Sequence, residues 1–178
     1  FQTLQDPLNP VVEPYGRVPQ FTFNANRQFV GGVDLALNSE FVKFDHPTSV
    51  VGGRLTMYPS ASLPLIAPGG YLTPKVAFHS TSYSLARAAA GTPNTQSRAL
   101  PVISLDSGQT YERDTQYVGQ SFRQTLEPRM YYVYAPFRDQ TKVPLCDTGV
   151  ADFNYAQIFS ENVFSGGDRI GDSSQVTL

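Results

Sequence analysis

The chain has 178 residues, enough for one ordinary domain with a sizeable core. Charged residues make up 16% against 40% hydrophobic, with 12 Phe, 10 Tyr, no Trp and a formal net charge of -2; this β-leaning, charge-poor balance with scattered Lys and Arg excludes the basic stripe of a nucleic-acid binder. No run of about 18 apolar residues is present, which excludes a transmembrane helix but not a transmembrane β-barrel, whose strands alternate and never look apolar in a window.

In chain order, Phe1 to Pro10 carry neither the basic start nor the apolar run of a signal peptide. From 20 to 26, Phe21, Phe23 and Ala25 fall on one face and Gln20, Thr22, Asn24 and Asn26 on the other. Val33, Leu35, Leu37 and Phe41 then oppose Asp34, Asn38 and Glu40, and Leu55, Met57, Ala61 and Leu63 oppose Arg54, Thr56, Ser60 and Ser62. The alternation weakens between 72 and 84, where Leu72, Val76 and Phe78 face away from Thr73, Lys75, His79 and Thr81, and again around Pro101, Ile103 and Leu105. The longest strand is expected from 120 to 134, with Phe122, Leu126, Pro128, Met130, Tyr132 and Tyr134 opposing Arg123, Thr125, Glu127 and Arg129.

Turn-forming clusters separate these strands: Val30-Gly31-Gly32, Asp45-His46-Pro47-Thr48, Ala67-Pro68-Gly69-Gly70, Gly91-Thr92-Pro93-Asn94 and Glu112-Arg113-Asp114. Shorter and longer connections alternate, as in outer-membrane barrels, and the segment 136 to 170 is the longest. Within it Asp152 is placed to N-cap a short helical turn through Phe153, Ala156, Ile158 and Phe159. Phe44, Tyr71, Tyr83, Tyr111, Tyr131 and Tyr134 suit an interfacial aromatic girdle or the core of a soluble sandwich. Strand length favours the membrane, because 33 to 44 and 120 to 135 reach the roughly 9 to 11 residues that cross a bilayer. Gln175 to Leu178 reads as the opening of a further strand, so the chain is expected to be a fragment of about seven to eight strands that does not fold alone.

Several tempting motifs have plainer readings. Gly166-Gly167-Asp168-Arg169 lacks the strand and helix of a phosphate loop and is expected to be a turn where the long loop rejoins the sheet. His46 and His79 lack ligand spacing, the lone Cys146 is expected to pack, and no serine sits in a nucleophile elbow. Asp139, Asp147, Asp152 and Asp168 have no EF-hand spacing and read as solvated loop carboxylates. No catalytic residue, metal site or cofactor is expected.

The segment Gln124-Thr-Leu-Glu-Pro-Arg-Met-Tyr-Tyr-Val-Tyr-Ala-Pro-Phe-Arg-Asp-Gln140 resembles the LptD (organic solvent tolerance) family. The likeness continues through Asp147, Ala151 to Phe159, Glu161-Asn162, Phe164-Ser-Gly-Gly-Asp-Arg-Ile170 and Gln175-Val-Thr177, with Arg17-Val-Pro-Gln20 and Tyr71-Leu-Thr-Pro-Lys75 in support. The resemblance implies an all-β, antiparallel up-and-down outer-membrane barrel of about 26 strands, of which residues 1 to 178 would be a middle portion with 136 to 170 as a long extracellular loop. It also implies a Gram-negative outer-membrane location and a non-enzymatic role in placing lipopolysaccharide in the outer leaflet, among outer-membrane lipids. A lipoprotein plug, LptE, would fill the lumen, and the periplasmic bridge protein LptA would dock on an N-terminal jelly roll. That jelly roll, the gate strands and the disulfide cysteines of the family lie outside this sequence. With the apolar faces toward lipid, Arg123, Glu127 and Arg129 are the candidate lumen residues, Glu127 and Arg129 close enough to pair. Arg138, Asp139, Gln140, Asp168 and Arg169 are the family-motif residues of the loop. A different outer-membrane barrel, porin or receptor, and a soluble carbohydrate-binding sandwich are the competing readings.

Overall fold

The computed structural model describes residues 14–28, 31–88 and 90–178. The signal-peptide reading of Phe1 to Pro10, and Val30 of the first turn cluster, lie outside the described residues. The main chain forms an antiparallel meander of β1 (Gly16–Gln28), β2 (Asp34–Asp45), β3 (Val51–Ser62), β4 (Leu65–Ala67), β5 (Gly70–Arg87) and β6 (Thr95–Gln109). It continues through β7 (Tyr111–Tyr117), β8 (Gln120–Leu126), β9 (Arg129–Ala135) and β10 (Ser173–Thr177). The sheet runs β1-β2-β3-β5-β6-β9-β10, with β4 paired on β5, so the strands follow chain order except where β7 and β8 leave the sheet between β6 and β9.

The alternation seen in the sequence is the alternation of the sheet. Phe21, Phe41 and Leu55 stand level across β1, β2 and β3, and Ala61, Val76, Ile103 and Tyr134 across β3, β5, β6 and β9. These side chains form one open apolar face: Phe21, Phe23, Leu55, Met57, Val76, Phe78, Ile103 and Val176 are all exposed, Phe21 at 65% and Val76 at 57%. A face of this extent without cover is one that water alone does not tolerate.

The apolar band crosses the sheet diagonally. On β1 it centres on Phe23, which stands level, through Ser39, with Met57. On β9 it centres on Tyr132, level through Leu105 and Pro74 with Leu63, whose amide bonds the Pro74 carbonyl at 3.0 Å. Six residues of drift over five strand steps, at about 3.3 Å per residue and about 4.8 Å per strand, is a tilt of about 40°. Strands of transmembrane barrels tilt by about 35–45° to the membrane normal.

The expected alternation of connection lengths is not seen at the start of the sheet, where the connections after β1 and β2 (29–33 and 46–50) are equally short; the one between β9 and β10 is long and folds back onto the polar face. Three further expectations are corrected. The strand expected from 120 to 134 is interrupted at Glu127-Pro128, where the proline ring offers no amide. Register nevertheless carries on across the break, because the Gln109 amide donates to the Pro128 carbonyl at 3.0 Å and Tyr111 faces Leu126. Glu112-Arg113-Asp114 is not a turn but part of β7, which with β8 forms a two-stranded hairpin extending past the neighbouring strands. The reversal falls at Val118-Gly119, both at positive φ (49° and 73°), the backbone of a two-residue hairpin turn. In the long loop the helical turn is a 3-10 segment, Gln157–Phe159. Asp152 does not cap it: the N-cap position is Ala156, and the side chain bonded to the first amide is Asn154, whose Oδ1 accepts from the Gln157 amide at 3.0 Å.

Candidate functional site

A buried ionic cluster joins the long loop to the polar face. Alternation puts Arg54 of β3 on that face, and at 1% side-chain exposure it has no water to pair with. Its guanidinium grips Asp147 with two bonds, at 2.5 and 2.7 Å, and donates to Asp168 at 2.7 Å and to Glu40 of β2 at 2.7 Å. The Phe44 ring lies 5.0 Å from the guanidinium carbon.

Asp168, wholly buried, is the centre of the loop's own fold. One carboxylate oxygen accepts from Arg54 and from the Tyr83 hydroxyl at 2.8 Å; the other accepts the amides of Cys146 and Asp147 at 2.7 and 2.9 Å. Arg98 of β6 bonds the Gln140 side chain, the carbonyls of Asp168 at 2.7 Å and Gly167 at 3.2 Å, and Thr81. One buried guanidinium, Arg54, thus meets three carboxylates, a second, Arg98, holds the backbone at Gly167 and Asp168, and Arg17 at the rim lies 3.8 Å from Asp147.

The glycine pair of the motif is explained by this cluster. Gly166 adopts φ +69°, and a Cβ there would collide with Asp147; a Cβ on Gly167 would lie 2.8 Å from the Arg54 guanidinium carbon. The segment is the expected turn, and it is built to press bare backbone against Arg54.

Further fastenings line the loop. Gln140 donates to the Ile170 carbonyl at 2.7 Å and accepts its amide at 3.1 Å, tying the two ends of the loop together. Arg169 donates to the Val143 carbonyl at 2.7 Å. Glu161 takes Lys75 of β5 at 3.0 Å, Ser104 of β6 at 3.0 Å and the Tyr58 hydroxyl of β3. Arg129 of β9 holds Asp106 with bonds of 2.9 and 2.7 Å and stacks 4.2 Å from the Phe159 ring centre. Thr177 of β10 donates to the Ile158 carbonyl at 2.8 Å. Beneath the loop, Ile170 and Phe159 pack on Ala77, Leu100, Val102, Tyr131 and Val133, and Val143 packs on Tyr83 and Leu85.

The electrostatics follow from burial. Burial alone would raise the Asp147 carboxyl, but the hydrogen bonds and charge of Arg54 outweigh it and hold the group below the usual carboxylate range. Burial, helped by Asp168, pushes the half-buried Cys146 thiol up to about 12, which disfavours its thiolate.

The sequence-derived candidates divide. Gln140, Asp168 and Arg169 belong to the cluster, and Arg129 lies on the polar face. Arg138 and Asp139 are exposed at the start of the loop, where Asp139 accepts the Thr141 amide at 3.0 Å and that bond lowers its carboxyl. Glu127 is exposed at the β8–β9 break, and Arg129 pairs with Asp106 instead of with it. Arg123 is on the projecting hairpin, 64% exposed, paired with Glu112 and Asp114 at 3.5 and 3.4 Å. Asp147 and Asp168 are not solvated loop carboxylates, since both are buried against Arg54. Arg54, Arg98 and Tyr83 escaped the sequence reading as site residues, although Arg54 was on the polar face; the signal was an arginine in a strand whose other polar-face neighbours were uncharged.

The chain matches over residues 1–178 the family model described as LptD, LPS transport system D. It is 49% identical to a protein of Nitrosospira multiformis named LPS-assembly protein LptD, over 100% of this chain and 19% of that protein. Proteins of the same name from Thiobacillus denitrificans and Ralstonia nicotianae are 47% and 48% identical, over 100% and 99% of this chain and 24% and 23% of theirs. The chain spans between about a fifth and a quarter of the length of these curated relatives. A meander with one apolar face and one loop-covered polar face, matched from end to end by the family model, belongs to the LptD family.

Proposed function

We propose that this chain is a middle portion of a Gram-negative outer-membrane barrel that delivers lipopolysaccharide to the outer leaflet. The observation that carries the reading is the diagonal apolar band, whose tilt of about 40° is that of strands crossing a bilayer. In this reading the band meets lipid, the short turns face the periplasm, and loop 136–170 enters from the outside and lies along the lumen wall. No helix among the described residues is long and apolar enough to cross a membrane.

The covered face becomes the lumen wall, and Arg129 and the loop cluster become lumen groups. Their work is positioning rather than catalysis. The clamp keeps a polar passage open at fixed width, so that the sugar and phosphate part of an amphiphile travels in water while its acyl part leaves sideways. The energy for transport is supplied elsewhere in the machinery. The lipoprotein plug LptE in the lumen and the bridge protein LptA on an N-terminal domain are the partners this role requires.

The test is depletion of the intact parent protein in its host, following newly made lipopolysaccharide to the cell surface. Surface delivery is expected to stop while other barrels still assemble. Unchanged delivery would overturn the transport reading and leave a porin or receptor barrel.

A further inference from the structure

Tyr58, Tyr83 and Tyr131 of the polar face are bonded to the long loop or packed against it. Tyr71 of β5 is not: it lies toward the end of the sheet opposite the loop's root and is 36% exposed. Ile66, Tyr71, Gly108 and Arg129 stand level across β4, β5, β6 and β9. Opposed residues of an antiparallel pair project to the same side, so this whole row belongs to the polar face.

Gly108 has no side chain, and the Tyr71 ring occupies the space above it. A Cβ there would lie 2.5 Å from Cε1, 2.9 Å from Cζ and 3.0 Å from the hydroxyl oxygen of Tyr71. The ring is therefore laid across the neighbouring strand, with one side on the Gly108 backbone and the other turned away from the sheet. Its hydroxyl donates to Asp106 at 3.2 Å, and Arg129 holds Asp106 with bonds of 2.9 and 2.7 Å. Both members of that pair are within reach of solvent, at 25% and 37% side-chain exposure. Beside the ring opens a hollow of about 340 Å³ lined by Pro64, Ile66, Thr73 and Thr110 together with Tyr71, at the lower end of the range of about 300–1,000 Å³ for small-molecule sites.

A pyranose ring carries C–H groups on its faces and hydroxyls around its rim. An aromatic face meets the first through dispersion and weak C–H contacts, while a carboxylate accepts from the second and a guanidinium or a threonine hydroxyl donates to it. The Asp106–Arg129 pair is neutral overall, so it offers hydrogen bonds to hydroxyls rather than net charge to an anion. Because Tyr71 is fixed both at its hydroxyl and beneath its ring, stacking on it orders little that is not already ordered. We propose that Tyr71 is a stacking platform for one pyranose ring of the glycolipid that the lumen carries, with Asp106, Arg129 and Thr73 hydrogen-bonding the sugar's hydroxyls. The proposal rests on the transport reading above, which turns the polar face to the lumen and puts this end of it at the periplasmic mouth.

The experiment is saturation-transfer NMR on the intact parent protein in nanodiscs, with fully deacylated lipopolysaccharide as the probe so that no acyl chain contributes. Saturation should pass to sugar ring protons. Tyr71→Ala should weaken binding of the probe about tenfold, equivalent to about 1.4 kcal/mol, whereas Tyr71→Phe, which keeps the ring, should weaken it by about threefold at most. Gly108→Ala, whose Cβ would lift the ring off the strand, should behave like Tyr71→Ala and is the second variant should that one misfold, as judged by heat-modifiable migration in gels. Excess inorganic phosphate should leave the Tyr71-dependent part of the signal in place. No saturation of the probe by the unaltered protein, full binding by Tyr71→Ala or Gly108→Ala, equal losses in Tyr71→Phe and Tyr71→Ala, or displacement by phosphate would overturn the proposal. If delivery of lipopolysaccharide stops on depletion of the parent yet Tyr71→Ala binds the probe as the unaltered protein does, the platform alone is wrong; unchanged delivery on depletion is the separate result that sinks the transport reading.

Discussion

Arg54 and Arg123 are both arginines on strands, and each touches more than one carboxylate, yet they belong to different kinds of structure. Arg54 is 1% exposed, holds Glu40, Asp147 and Asp168 at 2.5 to 2.7 Å, and has a loop folded over it. Arg123 is 64% exposed, with Glu112 and Asp114 at 3.5 and 3.4 Å on a hairpin that nothing among the described residues covers. An exposed pair gains little, because water and salt screen it and two long side chains must be ordered. A buried cluster is expensive to assemble and more expensive to break, since removing one partner strands charges of the other sign. Ion pairs that define a shape are therefore those that a second segment has sealed from water.

Removing the buried cation should have the largest effect. Arg54→Ala leaves Asp147 and Asp168 buried without their main partner and is expected to cost about 3–5 kcal/mol, read as a fall in the thermal midpoint of the intact parent and as protease cleavage within residues 136–172. An unchanged cleavage pattern would mean that the loop is held by its apolar contacts alone. Acid should reach the same cluster without a mutation. The Asp147 carboxyl is depressed in the folded state, so its contribution is present above the ordinary carboxylate value near 4 and is lost as pH falls through the lower folded value. Loop cleavage by an acid-stable protease should therefore rise below about pH 4, and less steeply in Asp147→Asn.

Arg129 is intermediate, bidentate to Asp106 but 37% exposed. Arg129→Gln is expected to cost about 1 kcal/mol and to loosen Phe159 and the 3-10 turn without undocking the motif around Asp168. Deuterium exchange confined to residues near 155–162 would show this; exchange spreading to 165–170 would mean that the two fastenings are one unit. Arg123→Gln should change stability by less than about 0.5 kcal/mol, and a larger loss in thermal midpoint would show that the hairpin is covered in the intact protein.

Much of the wall was legible before any coordinates, because a strand with different solvents on its two faces writes them into alternate residues. Phe21 to Ala25, Leu35 to Phe41 and Leu55 to Leu63 show this. Where alternation faded, the structure supplies the reason. Leu100 and Val102 point to the polar face, at 1% and 3% exposure, but lie under the loop, so β6 is apolar on both sides and reads as a continuous run. The break at Glu127-Pro128 was obscured because the pattern keeps its phase across it, as the register does. Charge misled at Glu112-Arg113-Asp114, where a strand outside the main sheet carries charges on its open face. The loop was illegible in another sense. Its motif residues stood out, but its course is set by partners 93 and 114 positions away along the chain, Asp147 and Asp168 on Arg54, and no local periodicity encodes such a distance.

The loop has hydrogen bonds or ring contacts on β3, β5, β6, β9 and β10, five neighbouring strands. In mechanical terms it is a brace nailed across adjacent staves. Strands joined only edge to edge can slide or peel one at a time, each step breaking one row of bonds; with the brace in place, parting any two of these also tears a fastening from the loop. If the wall must part for a cargo to leave, the seam will be found where no loop crosses it.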